Sequence, residues 1–216
     1  GGGGVSAQPF RIEHLRVKAS FVACLGMGQM KRIVVTGTTG SGKSTLAERL
    51  ANIFHCPFVE SDALFWEPNW TQAPRDEFRR KVADVLAGDA WTVGGNYSVA
   101  RDLIWARADT LIWLDYPLPL VLWRLGQRTI RRIVTQERLW GGNVESWRSQ
   151  FASRDSLFVW ALKTHYRRRR EMPALLALPA HTHLSVLHFR MPRATEMWVQ
   201  SLEQLHGDLR SIQRCD

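Results

Sequence analysis

The chain has 216 residues, room for one α/β domain with a small mobile insert. Hydrophobic residues make up 45% of it, ordinary for a soluble globular protein, and no apolar run reaches the roughly 18 residues that span a bilayer, so a membrane partner is not expected. A formal charge of +9 and a pI of about 10.2 favour anionic partners: nucleotides, phosphorylated metabolites or nucleic acid.

Residues 1–29 differ from the rest. They begin Gly1-Gly2-Gly3-Gly4 and follow no clear period, so they are read as an extension outside the fold, with a helix around Ile12 to Ala19 as the alternative. Met30-Lys31-Arg32 leads into Ile33-Val34-Val35 and opens a domain over residues 30–216. A β-branched strand, Ile33 to Thr36, enters a glycine loop, and Lys43 to Phe54 reads as a helix with Leu46, Leu50 and Ile53 on one face. Pro57 to Ser61 is a second strand, ending at Asp62. Pro74 to Leu86 is helical, with Phe78, Val82 and Val85 spaced for burial. Trp91 to Val93 is a third strand, closed by Gly94-Gly95-Asn96, and Thr110 to Leu114 a fourth. Pro117 opens a helix running to about Val134. Trp140-Gly141-Gly142-Asn143 breaks the pattern before a helix over Arg154 to Arg170. Leu184 to Phe189 is a fifth strand and Thr195 to Leu205 the last helix. Such alternation predicts a three-layer α/β fold around a five-stranded parallel sheet, with ligands at the strand carboxyl ends.

Cys24, Cys56 and Cys215, odd in number and far apart, point to neither a disulfide framework nor a zinc site. No secretory leader is recognised, and a cytoplasmic location is expected. The ten tryptophans are expected to fill the core or cover the sheet, with some lining a pocket.

Gly37-Thr38-Thr39-Gly40-Ser41-Gly42-Lys43-Ser44 matches G-x-x-x-x-G-K-[ST] in full, between a β-branched strand and an amphipathic helix. Glycines let the backbone N–H groups turn inward, and the helix N-terminus adds partial positive charge. Gly37 to Thr45 is therefore expected to cradle the phosphates of ATP. Lys43 would reach the β- and γ-phosphates, and Ser44 would offer its hydroxyl to Mg²⁺.

No Asn-Lys-x-Asp guanine-reading motif is present, and the chain is short for an AAA-type ATPase. The phosphate loop occurs together with Asp62-Ala63-Leu64-Phe65-Trp66, Gly95-Asn96-Tyr97, Ala108-Asp109-Thr110-Leu111-Ile112-Trp113-Leu114-Asp115 and Ser153-Arg154-Asp155-Ser156-Leu157. In these residues the chain resembles the small P-loop kinases of the adenylate kinase and shikimate kinase-like group. From Lys31 to about Leu202 it looks most of all like the adenylate-kinase-related bacterial DNA topology modulation proteins. The resemblance implies a phosphotransferase that uses ATP and Mg²⁺ on a small-molecule acceptor, with a short helical lid over about residues 134–153. It places Glu60-Ser61-Asp62 at the acceptor side, where Asp62 would orient an acceptor hydroxyl and Glu60 would hold Mg²⁺ through water. Trp66 and Trp70, which follow closely, would form an aromatic wall there or simply pack, and Asn96 would be a polar contact. Relatives commonly carry an Asp where this chain has Gly94, so the carboxylate that usually helps hold the metal is missing. Leu111 to Asp115 reads like a Walker B strand, but Asp115 is expected to bind neighbouring backbone N–H groups.

Arg124 and Arg128 share one helix face at i, i+4 and resemble the arginine pair at an adenylate kinase lid hinge, contacting adenine and phosphate. Arg154 would reach the phosphoryl group from beyond the lid, with Lys163 a weaker candidate. Arginines arriving from a lid would complete the site only with substrate present. Arg167-Arg168-Arg169-Arg170 points all round a helix end and is expected to be a solvated run, with a nucleic-acid backbone contact as the alternative. Arg190 to Ala194 falls where related kinases fold a loop over adenine.

Two function classes follow: an ATP- and Mg²⁺-dependent small-molecule or nucleotide kinase, and a nucleic-acid-associated nucleotide binder with little or no kinase activity. A third is a P-loop protein that binds nucleotide after losing catalysis. The chain is expected to be a monomer or a homodimer.

Overall fold

The computed structural model describes residues 30–95, 97–145 and 157–213, with the backbone alone for residues 209–213. The N-terminal extension, Asn96, Arg154 and the later part of the expected lid lie outside the described residues. The first strand, β1 (Arg32–Gly37), is followed by α1 (Lys43–Phe54), β2 (Phe58–Glu60) and the one-turn α2 (Ser61–Phe65). Then come β3 (Trp66–Glu67), β4 (Thr71–Gln72), α3 (Arg75–Val85), β5 (Trp91–Gly94), α4 (Arg101–Arg107) and β6 (Thr110–Leu114). The chain continues through α5 (Leu118–Thr135), α6 (Leu157–Leu176), β7 (Ser185–Phe189) and α7 (Pro192–Gln213).

Five strands make one parallel sheet in the order β2-β5-β1-β6-β7. The predicted alternation is therefore borne out as a doubly wound sheet with helices on both faces. Its strands are apolar on successive residues because each face is covered. Ile33, Val35, Ile112 and Leu114 join Leu46, Leu50, Val121, Trp198 and Leu202 in one core, under α1, α5 and α7. Val34, Val93, Leu111 and Trp113 join Phe78, Val82, Ile104 and Met172 in the other, under α3, α4 and α6. Leu50 and Leu202 have no exposed surface, and truncating either to alanine would cost about 2–5 kcal/mol.

Three departures from the sequence expectation bear on function. The antiparallel ribbon β3–β4 and the short helices α2 and α4 were not foreseen: each is too brief to impose a period on the sequence. The helix α6 runs on through Pro173 to Leu176, past the expected end at Arg170. Where a lid was expected, the described residues after α5 form a turn. The helix α5 ends at Gln136 in the left-handed region (φ 50°), Trp140 to Gly142 make one 3₁₀ turn, and Arg138 bridges to Val144. None of the described helices is long and apolar enough to cross a membrane.

Candidate active site

The phosphate loop lies between the end of β1 and the first turn of α1, at the carboxyl edge of the sheet. Gly40 and Gly42 have φ of 88° and 87°, a left-handed backbone that favours glycine. Gly40 also has no room for more: a Cβ there would lie 2.7 Å from the Val121 carbonyl oxygen on α5. The turn is closed by the Ser41 N–H donating to the Thr38 carbonyl at 3.0 Å. The loop is thus clamped between sheet and α5, and the N–H groups that open α1 face a cleft.

That cleft has a volume of about 820 Å³. Residues 40–46 form one wall, Glu60 and Asp62 another, and Arg124, Arg128 and Arg132 of α5 a third. The structure therefore brings together Lys43, Ser44, Glu60, Asp62, Arg124 and Arg128, as expected from the sequence. Burial pushes the Lys43 ammonium below the usual lysine range; Asp62 and Glu60 oppose the shift, and Arg128 and Arg168 add to it. Burial raises Glu60 above the usual carboxylate range and the charge of Asp62 raises it further, against hydrogen bonds from Ser44 and the Asp62 backbone. The Glu60 Oε1 atom is buried without a hydrogen-bond partner. Burial, then Arg132, lowers Arg128, whose Nε also lacks a partner. A half-buried lysine, two carboxylates and a guanidinium whose Nε is unsatisfied thus share one cleft.

Gly94 is explained by space. Its strand position pairs with Glu60 across β5 and β2. A Cβ at Gly94 would lie 3.0 Å from Ser44 Cα and 3.3 Å from Ala47 Cβ. Here α1 packs directly on β5, and the carboxylate beside Ser44 comes from the neighbouring strand as Glu60.

Other expectations are redistributed. Arg124 donates to the Ser41 carbonyl at 3.3 Å and lies over the Tyr116 ring, 5.5 Å from its centroid. Pro192 and Arg193, after β7, also line the cleft. Lys163 is exposed and not part of the lining. The Asp115 carboxylate is held by side chains, in place of the backbone N–H groups foreseen for it. Arg169 lies 2.9 Å away, His188 3.2 Å and Arg190 3.7 Å, outside the cleft. The arginine run is accordingly not wholly solvated. Arg169 is committed to Asp115, and burial, with Arg167 and Arg101, lowers Arg168 to about 10.

Trp66 and Trp70 stand edge to face at 5.6 Å, but neither lines the cleft. Trp70 instead holds the turn after α5, its backbone N–H donating to Asn143 Oδ1 at 2.9 Å. Asn143 donates in turn to the carbonyls of Glu67 at 2.8 Å and Trp140 at 2.7 Å.

Sequence reasoning missed Arg132, although it continues the i, i+4 row of Arg124 and Arg128. Its guanidinium lies 3.2 Å from the buried Glu145 and 5.8 Å from the Trp140 ring centroid. It also missed His165 of α6, which meets the Thr38 hydroxyl at 3.2 Å. Burial holds this imidazole below the usual histidine range, helped by Arg169. No local signal marks a contact across 127 residues of sequence.

Among the described residues no group of three or more His, Cys, Asp or Glu side chains could hold a metal ion. A hard cation here would take most ligands from nucleotide phosphates and water. The Ser44 hydroxyl and the unsatisfied Glu60 oxygen fit that arrangement.

No protein-family model matches the chain, and no curated protein does. Among solved structures it is similar to a gluconokinase from Sinorhizobium meliloti, with 20% identity, a TM-score of 0.45, and coverage of 84% of this chain and 96% of that one. A shikimate kinase from Acinetobacter baumannii in complex with shikimate matches at 15% identity and a TM-score of 0.46, covering 87% of this chain and 94% of that one. A shikimate kinase from Bacteroides thetaiotaomicron matches at 20% identity and a TM-score of 0.45, covering 81% and 97%.

Proposed function

We propose that the chain is a cytoplasmic, ATP- and Mg²⁺-dependent small-molecule kinase, transferring the γ-phosphoryl group of ATP to an acceptor hydroxyl. The observation that carries this reading is the convergence of Lys43, Glu60, Asp62 and Arg128 on one cleft beside the glycine loop. Phosphoryl transfer needs positioning and compensation of charge on the γ-phosphoryl oxygens, and little covalent chemistry.

In this reading residues Gly37 to Thr45 cradle the phosphates, and Lys43 contacts the β- and γ-oxygens. Arg128, half-buried with its Nε unsatisfied, takes the transferring group, joined by Arg154 from beyond the lid. Arg124 borders the nucleotide beside Tyr116, where Pro192 and Arg193 supply further surface. Asp62 orients the acceptor hydroxyl and takes its proton. Ser44 and Glu60 would hold Mg²⁺, Glu60 through water; when bound, the ion offsets phosphate charge as a Lewis acid. Residues 30–216 act as one kinase-like domain, with residues 134–153 as its lid and residues 1–29 outside it. Within the small P-loop kinases we place the chain with the adenylate-kinase-related DNA topology modulation type.

The test is ADP release with ATP and Mg²⁺ across a panel of hydroxylated metabolites, including nucleoside monophosphates and sugar acids. One acceptor should raise turnover, and Lys43→Ala should abolish that rise. Phosphoryl transfer that survives Lys43→Ala would sink the reading. Duplex DNA binding that collapses with salt, without any responsive acceptor, would favour the nucleic-acid-associated alternative.

A further inference from the structure

We propose that Tyr97 is the positioning residue for Asp62: it commits one carboxylate oxygen so that the other faces the acceptor hydroxyl. The proposal rests on the kinase reading above.

The Tyr97 hydroxyl donates to Asp62 Oδ1 at 2.6 Å. A phenol has one proton to donate, and here it is committed to Asp62. The ring is fixed as well, 4.3 Å from Phe65 and 5.3 Å from the fully buried Phe78, centroid to centroid. Burial, then the charge of Asp62, drives Tyr97 ionisation far above the usual phenol range, which keeps the donor proton in place at any working pH.

Asp62 needs such a support. It sits in the first turn of α2, a helix of five residues, next to the ribbon that carries Trp66. Lys43 and Arg128 attract it through space, but attraction alone does not choose a rotamer. The phenol does, at a distance typical of a charge-assisted bond. With Oδ1 held, Oδ2 is the atom that accepts the acceptor O–H. As the acceptor oxygen attacks the γ-phosphorus, the new O–P bond forms and the P–O bond to the β-phosphate breaks. ADP departs with the electron pair, and the acceptor proton passes to Asp62 Oδ2. The Tyr97–Asp62 bond links the segment after β5 to α2, so the base is set by tertiary structure.

Tyr97→Phe keeps the ring and its packing and removes only the hydroxyl. With water as acceptor, basal ATP hydrolysis in Mg²⁺ is measured for Tyr97→Phe, Asp62→Asn and the double variant. Asp62→Asn should lower the rate by about 10²-fold. Tyr97→Phe should lower kcat by about tenfold with KM for ATP unchanged. The double variant should match Asp62→Asn alone, since residues acting as one unit are not additive. Additive losses, or a Tyr97→Phe rate equal to the parent, would overturn the positioning role and leave the kinase reading standing. A parental rate in Asp62→Asn, with Lys43→Ala inactive, would remove Asp62 as the base and this proposal with it. If Lys43→Ala also kept the parental rate, the kinase reading would fail first.

Discussion

On the proposed donor side of the cleft, consecutive residues from Gly40 to Leu46 build the wall, between one strand and one helix. On the proposed acceptor side Asp62 lines the cleft and is held by Tyr97, while Asn143, outside the lining, ties the ribbon to the turn after α5 by side-chain hydrogen bonds. The difference teaches how each side can fail. A backbone cradle tolerates the loss of many side chains but not of its charge. An acceptor wall assembled from distant segments depends on each tie. Lys43→Ala is therefore expected to have the largest effect, lowering phosphoryl transfer by about 10³-fold or more. Single-turnover ADP formation measures it, and thermal melts should find the fold intact. A loss below tenfold would mean that the donor side does not carry the chemistry.

Glu60→Gln sharpens the comparison where the two sides meet. Glu60 is raised in the folded protein by burial and by Asp62. The native state therefore holds this proton more tightly than the unfolded chain does. Stability is greatest below the ordinary glutamate range and falls as pH rises through that range towards the folded value. Glutamine removes this penalty, so Glu60→Gln should melt higher than the parent at neutral pH, with the gap closing in acid. The same variant should lower Mg²⁺-dependent turnover by about 10²-fold, since it removes the carboxylate beside Ser44. A variant that melts lower at neutral pH would show Glu60 to be a structural ion-pair residue.

Asn143→Ala probes the acceptor side alone. It removes the acceptor of the Trp70 N–H and the donors to the Glu67 and Trp140 carbonyls. Leaving such groups unpaired costs about 1–3 kcal/mol, and the tie between the ribbon and the turn after α5 should loosen. The expected result is a fall of about tenfold in kcat/KM for the acceptor, with ATP affinity unchanged by calorimetry. An equal loss of ATP affinity would erase the distinction between the two sides.

The same contrast explains what was legible in the sequence. The phosphate loop could be read because its constraints fall on adjacent residues, and the sheet because each strand is an apolar run covered on both faces. Arg124 and Arg128 could be read because i, i+4 spacing is local. The unread contacts are those that only tertiary structure creates. Arg169 meets Asp115 across 54 residues, His165 meets Thr38 across 127, and Trp70 meets Asn143 across 73. Composition announced the arginines but could not say which would turn inward. The basic run of α6 looked uniform, yet Arg169 faces a buried carboxylate while Arg167 is largely exposed beside Glu171. Gly94 was legible as a missing acid; the space that requires glycine there was not.

Gly94→Ala gives the smallest effect and tests whether that glycine marks lost catalysis or tight packing. Its Cβ would meet Ser44 Cα at 3.0 Å, Ala47 Cβ at 3.3 Å and Phe58 Cε2 at 3.4 Å. The closest of these is a main-chain atom in the first turn of α1, which cannot give way as a flexible side chain would. The helix must shift by a few tenths of an ångström, at about 1–3 kcal/mol, as for overpacked cores. For a chain of this length each kcal/mol lowers Tm by about 2–4 °C. Ser44 moves with the helix, so KM for ATP should rise a few-fold while kcat stays within about twofold. Gly94→Asp should behave worse than Gly94→Ala, because the added carboxylate meets the same crowding beside Glu60. A gain in turnover from Gly94→Asp would mean that the acid belongs on β5 and that Glu60 has not taken its place.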